Sequence, residues 1–584
     1  MKKVFLLLLL LSICFPASGQ TPLAGENAQI YREIPREEIF VHYTTSLLFA
    51  GEYLYYKIYT RSETTGLLSN LSKIAYVELL GEDGTRIFKH KIKLNNGTGQ
   101  GDFFLPTTVP SGNYKLVAYT RWMLNNRHNF FGGDVAVVNP YRGDQSAVSL
   151  PNEMSNETGR KPSGISTEGM KPESLGKDRS LQLSFDRSNI GKREQVVLNI
   201  RSRADSGGGN YSVSVRKIEN FDSPPMLRVA DHMDSSQKPS GEKELPKSVY
   251  LPELRGELLW GRIGPKNAAD NVAVNKRNLI LSIPGEDYMI KVAGTNEKGE
   301  FFFNLNGSYS GNRAFLEIIG EDKDMFSIEI APGAGIDHSV LTYKKFYLTP
   351  AMEKMILERS IYNQIENAYY GVKPDTLTVM QPRPPFYEEL PVIYDLDDFT
   401  RFPGMRETFT EIIKEAAVRR NTVMVRMPVN SVDFGMPSLL IVDGMVVQDQ
   451  KYFLETPATE VKSIAVLPHN YYLGPHMFQG VVEVVTLNKN FWERYAPPQL
   501  EQYNLENSQP VKNYFNQSYS RGKNENIPDF RYQLLWQPGL VIEDEEEVQL
   551  KFFTGEITGE FEIILQGLTA NGSPVYIRDV FTVE

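Results

Sequence analysis

The chain has 584 residues, 62 basic against 72 acidic side chains, and one cysteine, Cys14. That length predicts roughly three to five domains, and the acidic excess argues against a nucleic-acid partner. With no cysteine beyond position 14, disulfide stapling, thiolate metal sites and cysteine nucleophiles are excluded from everything that follows it.

Lys2 and Lys3 precede an apolar run, Val4 to Phe15, and then Pro16-Ala17-Ser18-Gly19. This is the pattern of a secretory leader, predicted over residues 1–19 with cleavage after Gly19. Acylation of Cys14 is the rival reading, but Ile13 is bulky where a small residue is wanted, so simple secretion is favoured. Losing the leader leaves 60 basic against 72 acidic residues, a net charge of −12. No later run is apolar and long enough to span a bilayer as a helix. The predicted location is the periplasm or outer-membrane periphery, with the cell surface as the alternative.

Residues 20–141 read as strands punctuated by Gly51, Gly81, Gly84, Gly97 and Gly112, the spacing of a β-sandwich. In Tyr53 to Tyr59, Leu54, Tyr56 and Ile58 alternate with Tyr53, Tyr55, Lys57 and Tyr59, so one face is core and the other aromatic. The second face is either a sugar-stacking platform or a surface covered by its neighbours, and the latter is favoured because aromatics are enriched in strands anyway. Ala50-Gly51-Glu52, Ser72-Lys73, Tyr76 to Leu79, and Ser111-Gly112-Asn113-Tyr114 running into Ala118 to Met123 resemble the macroglobulin domain of large secreted Bacteroidota proteins.

Residues 142–180 are rich in Ser, Gly, Pro, Asn and Glu without periodicity and read as a linker. Strands resume in residues 181–250, similar to a second macroglobulin-type sandwich interrupted by the polar stretch Asp222 to Lys247. Residues 251–348, through the Thr295 to Phe301 turn, resemble a carboxypeptidase-regulatory-like sandwich, a structural spacer in which Asn296 and Gly299 need only turn chemistry.

Within residues 349–490, Thr349-Pro350 opens a helix carrying Met352, Met355, Ile356, Tyr362, Ile365 and Tyr369 and closed by Gly371. A Pro-rich passage, Gln381 to Pro391, separates it from a second helix with Met405, Phe409, Ile412, Ile413 and Ala416 on one stripe. Strands are predicted over Thr422 to Met427, Leu439 to Val442, Met445 to Val447, Glu460 to Leu467 and Gly480 to Thr486. Asp443-Gly444 reads as a hairpin turn, and His469 to Gly480 as a loop around Gly474. The order of these features is similar to the plug domain of TonB-dependent receptors. Such a plug sits inside a barrel of about 22 strands at roughly 10 residues each. The 98 residues after Thr486 cannot supply one, so the resemblance implies an adaptor domain docking on a partner. Its candidate partner-binding residues are Asp443, Gly444, His469, Tyr471, Tyr472, Gly474 and His476.

Residues 491–526 read as a linker and 527–584 as a C-terminal β-domain. Arg531, Trp536, Pro538, Phe561 and Gly567 there resemble a recurring pattern of α-macroglobulins. Glu545-Glu546-Glu547 is a solvated turn.

The fold class expected is mainly β: a multidomain string of macroglobulin-like and carboxypeptidase-regulatory-like sandwiches with a small α+β plug-like domain. No G-x-S-x-G, H-E-x-x-H or G-x-x-x-x-G-K-[ST] occurs. His469 and His476 lack a third ligand for zinc. Asp395, Asp397 and Asp398 lack the pattern of a calcium loop. No enzyme, cofactor or metal is therefore expected. The function expected is a scaffold or accessory factor binding an envelope protein such as an outer-membrane barrel protein. The alternative is a macroglobulin-like protease binder without a thioester.

Overall fold

The computed structural model describes residues 34–150, 180–185, 187–203, 208–219, 223–234, 249–267, 272–307, 309–333, 335–378, 387, 391–429, 431–519 and 526–584. The predicted leader with Cys14, the linker segment 151–179, residues 235–247 and most of the Pro-rich passage 381–391 lie outside them. The protein is mainly β, and its described residues fall into two compact units. One takes 255–333 and the residues up to 507 that follow 378; the other takes the residues before 255, 335–378 and those from 508 on.

The second of these units contains two sandwiches. In the first, a sheet ordered Glu37–Tyr43, Tyr53–Ser62, Thr98–Phe104 faces a five-stranded sheet ordered Leu47–Phe49, Phe131–Val138, Gly112–Tyr119, Ile74–Gly81, Arg86–Lys93. Alternation works as predicted on one face, since Leu54, Tyr56 and Ile58 enter the core between the sheets. The polar stretch after Asp222 contributes to the same core, because its short helix Val229–Asp234 inserts Val229 and Met233.

The other sandwich corrects the predicted domain plan. Residues 181–250 and 527–584 were expected as separate β-regions, yet their strands share both sheets. Gly209–Lys217 lies between Gln533–Ile542 and Gly559–Thr569, antiparallel to each, while Gln195–Ser202 pairs with Glu547–Phe553. Neither segment alone can cover its apolar face, and their side chains form one core from Leu198, Val213 and Val215 to Phe561, Ile563 and Phe581. Gly567 is required in that sheet: a Cβ there would stand 2.2 Å from the Asn210 carbonyl oxygen.

In the unit of residues 255–333 and 387–507, a sandwich is built from Glu257–Pro265, Glu300–Leu305 and Phe326–Ile330 against a sheet ordered Met289–Gly294, Asn278–Ile283, Arg313–Ile319, Glu501–Asn504. The last strand falls in the predicted linker 491–526, as does Lys512–Asn513, which pairs with Thr376–Leu377 in the other unit. Sequences such as Glu501-Gln502-Tyr503-Asn504 carry no alternation, and edge strands of this kind are held by backbone hydrogen bonds. The predicted 251–348 module is also shorter than expected. Residues 335–348 belong to the other unit, where Phe346 is buried beside Val138 and its N–H donates to Asn113 Oδ1 at 2.8 Å.

The α+β module follows, with a sheet ordered Val392–Asp395, Val461–Leu473, His476–Thr486, Leu439–Val442, Met445–Val446. Its second predicted helix is shorter than the stripe suggested. Met405–Glu411 is helical, Ile412 ends it, and Ala416 opens the strand Ala416–Arg419. All five stripe residues are nonetheless buried in one core. Thr349 and Pro350 start a helical segment as predicted, a 3-10 turn leading into Glu353–Ala368. That helix buries Arg359, Ser360 and Asn363 rather than its apolar residues, leaving Leu357 and Ile361 exposed.

Candidate functional site

The Asp443-Gly444 turn forms as predicted. Both residues are left-handed, with φ of 50° and 81°, as a two-residue hairpin between Leu439–Val442 and Met445–Val446 requires. Asp443 is buried, and its carboxylate accepts from Thr486 N at 2.8 Å, Thr486 Oγ1 at 2.6 Å and Phe491 N at 3.0 Å. Gly444 lies under Tyr288 of the neighbouring sandwich, where a Cβ would stand 2.4 Å from the tyrosine Cβ. Their work is to tie strands together and to seat the α+β module on its own sandwich.

The expected loop His469 to Gly480 is instead the end of a long hairpin, with only Gly474-Pro475 between Val461–Leu473 and His476–Thr486. Asn470-Tyr471-Tyr472-Leu473 and His476-Met477-Phe478-Gln479 pair across it residue for residue. Gly474 packs against Val292, and Tyr471 joins the apolar layer made by Ile280, Leu439, Ile441 and Val481. His476 pairs with Leu473, while His469 lies at the irregularity between Leu467 and Asn470, so the register does not set the two histidines opposite each other. Burial lowers the His476 pKa. Tyr472 remains 65% exposed. Among the described residues no three His, Cys, Asp or Glu side chains come together to hold a metal. Asp395 caps the short turn Leu396–Asp398, and Asp397 pairs with Arg401 at 2.5 Å.

A concave site, a cleft of about 140 Å³, lies in the unit with two sandwiches. Its aromatic wall begins with Tyr53 and Tyr55, the outward alternates of their strand, stacked at 5.7 Å. Tyr53 also stacks on Tyr370 at 5.9 Å, and Tyr55 meets Tyr514 edge-on at 5.1 Å and Trp536 at 6.4 Å. Lys57 and Tyr59, farther along the same face, are covered by the other sandwich; Tyr59 donates to Ser212 Oγ at 2.9 Å. Burial lowers the Lys57 pKa to about 8. The predicted aromatic face is thus divided between cleft and covered surface.

Charged groups line the cleft in equal number: Glu52, Glu366 and Asp375 against Arg216, Lys373 and Arg531. Most are engaged. Lys373 donates to Glu366 at 2.7 Å and to the Pro528 carbonyl at 2.9 Å, and Arg531 grips Asp529 with two bonds of 2.6 and 2.8 Å. Asp375 accepts from Phe515 N at 2.9 Å, and burial raises its pKa against the opposing pull of that bond and of Lys512. Arg216 Nη2, Gln533 Oε1 and Trp536 Nε1 are buried without a hydrogen-bond partner among the described residues.

Beside the cleft, the helix Glu353–Ala368 drives Arg359 between the sandwiches, fully buried. Its Nε and Nη2 each donate to Glu52 at 2.7 Å, Nη2 also donates to the Leu47 carbonyl at 3.0 Å, and Nη1 reaches Glu219. The guanidinium faces the Phe49 ring at 4.1 Å and the Tyr532 ring at 4.9 Å. Burial by itself lowers the Arg359 pKa, but Glu219 and Glu52 outweigh it and hold the cation. Burial likewise opposes ionisation of Glu52, and Arg359 reverses the sign. In the same unit His42 Nδ1 lies 2.7 Å from Ser212 Oγ with its ring edge-on to Trp536 at 5.2 Å, and burial depresses its pKa to about 3. Only the tyrosine alternation announced any of this in the sequence.

No family model and no curated protein matches the chain. Among solved structures, Salmonella α2-macroglobulin reacted with methylamine is similar at 9% identity and a TM-score of 0.23, covering 97% of this chain and 40% of that one. Native Escherichia coli α2-macroglobulin is similar at 10% identity and a TM-score of 0.24, covering 98% and 41%. The CARDB domain of the PF1109 protein from Pyrococcus furiosus, in complex with di-metal ions, has 16% identity and a TM-score of 0.14, covering 21% of this chain and 98% of that one. The chain therefore spans about 40% of the length of the two macroglobulins. At such TM-scores these likenesses carry no argument about its activity.

Proposed function

We propose that the chain is a non-catalytic exported envelope protein, a scaffold or accessory factor that engages a protein partner at the outer membrane or in the periplasm. The observation that carries this reading is the edge strand Val392–Asp395. It pairs only with Val461–Leu473 among the described residues, and Val392 and Ile393 are 40% and 66% exposed. The opposite edge of that sheet is handled differently, since Val446 N donates to Ser282 Oγ of the sandwich. An unguarded apolar edge is a template for an incoming strand, and strand addition is a common mode of peptide recognition. His469 and Tyr472, on the neighbouring strand, are with Gly474 at its turn the exposed members of the predicted set and extend the proposed surface. The similarity of residues 436–486 to a TonB-receptor plug supports an outer-membrane partner. No helix among the described residues is long and apolar enough to cross a membrane.

The test is a photo-crosslinking residue at position 393 in living cells, followed by purification and mass spectrometry. An envelope protein crosslinked at 393, and lost when Val392→Pro is introduced beside the crosslinker to break the edge strand, is expected. Recovery of the chain alone from washed membranes and periplasm would overturn the reading. Compaction on adding a protease, with the protease retained, would favour the macroglobulin-like binder instead.

A further inference from the structure

We infer that the aromatic cleft is a binding site for one pyranose ring of a neutral glycan. Its size sets the scale: a comparable cavity of about 150 Å³ takes benzene, and the cleft holds about 140 Å³. A hexopyranose has about twice the heavy atoms of benzene, so one ring enters with its outer hydroxyls left at the mouth of the cleft, and a polymer enters by one unit at most.

The wall chemistry narrows the class. Tyr53 and Tyr55 stack with their planes 16° apart, and Tyr55 and Trp536 lie 29° apart, so the rings form one aromatic wall of the cleft. The C–H face of a pyranose covers such a ring without losing its hydroxyls' hydrogen bonds. Three acids against three bases in the lining leave no net charge to hold a phosphate, a polyanion or a bare cation. A ligand must instead present donors and acceptors together. Trp536 Nε1 is a buried donor and Gln533 Oε1 a buried acceptor with no hydrogen-bond partner among the described residues, and Arg216 Nη2, ion-paired with Glu52 at 3.6 Å, makes no hydrogen bond there either. Each such group costs stability while it is unpaired. Asp375, whose carboxylate accepts from Phe515 N at 2.9 Å, adds a further acceptor to the lining. A hydroxyl group both donates and accepts, so a ring of hydroxyls answers this mixed set, whereas a purely aromatic guest leaves it unmet. An apolar wall with a few convergent polar groups is also the general composition of a small-ligand site.

This proposal is independent of the strand-edge reading, which concerns the other unit. The test is saturation-transfer NMR on the full chain with the methyl glycosides of glucose, galactose, mannose and N-acetylglucosamine, and with N-acetyl-tyrosinamide as the competing guest. Transfer to the ring C–H protons of at least one glycoside is expected. Tyr370→Ala, at a position already 41% exposed and so harmless to the core, should weaken it about tenfold, the scale of one lost aromatic stacking contact. Asp375→Asn should also weaken it while thermal unfolding stays in place. No transfer to any glycoside, or transfer undiminished in both variants, would overturn the proposal. Transfer to N-acetyl-tyrosinamide alone would make the cleft a socket for an aromatic side chain of a protein.

Discussion

In the unit of residues 255–333 and 387–507, the α+β module meets its sandwich through Ile280, Leu439, Ile441 and Val481, with Gly444 and Gly474 pressed against Tyr288 and Val292. In the other unit, the junction of sandwiches and helix is filled by Arg359, Glu52, Glu219 and Arg216, with His42, Ser212 and Tyr59 close by. The first junction is mainly apolar, with Tyr288 donating to Glu483 at 2.9 Å and Val446 N to Ser282 Oγ at 3.1 Å, so acid and salt should loosen it less than the second. The second depends on charges taken out of water. A buried ion pair of this kind gains little over a packed apolar contact while intact, but loses much when one partner is removed. The cleft lies beside the second junction, where polar groups are already buried.

Arg359→Ala should break that asymmetry most. It strands Glu52 and Glu219 in a buried site at a cost of about 3–5 kcal/mol, and hydrogen exchange should rise in 37–138 and 533–583 while 439–486 stays protected. Adding Glu52→Gln to Arg359→Met should recover part of the loss.

Acid should act in the same direction but less abruptly. The folded pKa of His42 is about 3 against an unperturbed value near 6.5. The unfolded chain therefore binds a proton that the folded chain refuses. His42 stabilises fully above pH 6.5, and its contribution is lost as pH falls from there towards 3. His90, whose pKa burial and Lys512 lower to about 4, adds a similar slope. Melting followed against pH should show the two-sandwich unit giving way first, and His42→Gln should flatten its curve.

Within the apolar junction, Asp443→Ala leaves three donors without their carboxylate and should cost about 1–3 kcal/mol, read by urea titration. Gly444→Ala forces a side chain into a left-handed position beneath Tyr288 and should cost about 1–2 kcal/mol. Val429→Ser, at a fully exposed position of the same module, should change stability by less than about 0.5 kcal/mol.

Local signals in the sequence were reliable for local structure. Alternation marked the strand that carries Leu54 and Tyr56, and Asp443-Gly444 announced a turn whose φ values leave little choice. What the sequence hid was pairing at a distance. Arg359 looks like a surface charge on an amphipathic helix until Glu52, 307 positions away, is set beside it. Apolar periodicity says which side chains avoid water, not which polar ones are taken along. The candidate site suffered most, because Trp536, Asp375 and Tyr370 come from separate stretches whose meeting no motif records. The two short strands inside the segment 491–526, read as a linker, were missed for a related reason: edge strands are specified by a neighbour's backbone rather than by their own side chains.

The shared second sandwich also fixes an order of assembly. Ser214 receives its bond from Gln533, 319 positions later, so the central strand Gly209–Lys217 has no partner on either side until nearly the whole chain has been made. At ordinary rates of synthesis that is a wait on the order of tens of seconds, and the entropy of closing so long a loop slows the step further. The C-terminal strands thus complete the sandwich begun by residues 181–217. A chain clipped after residue 526 would lose its final 58 residues and, with them, the sheet that 181–217 was waiting to join.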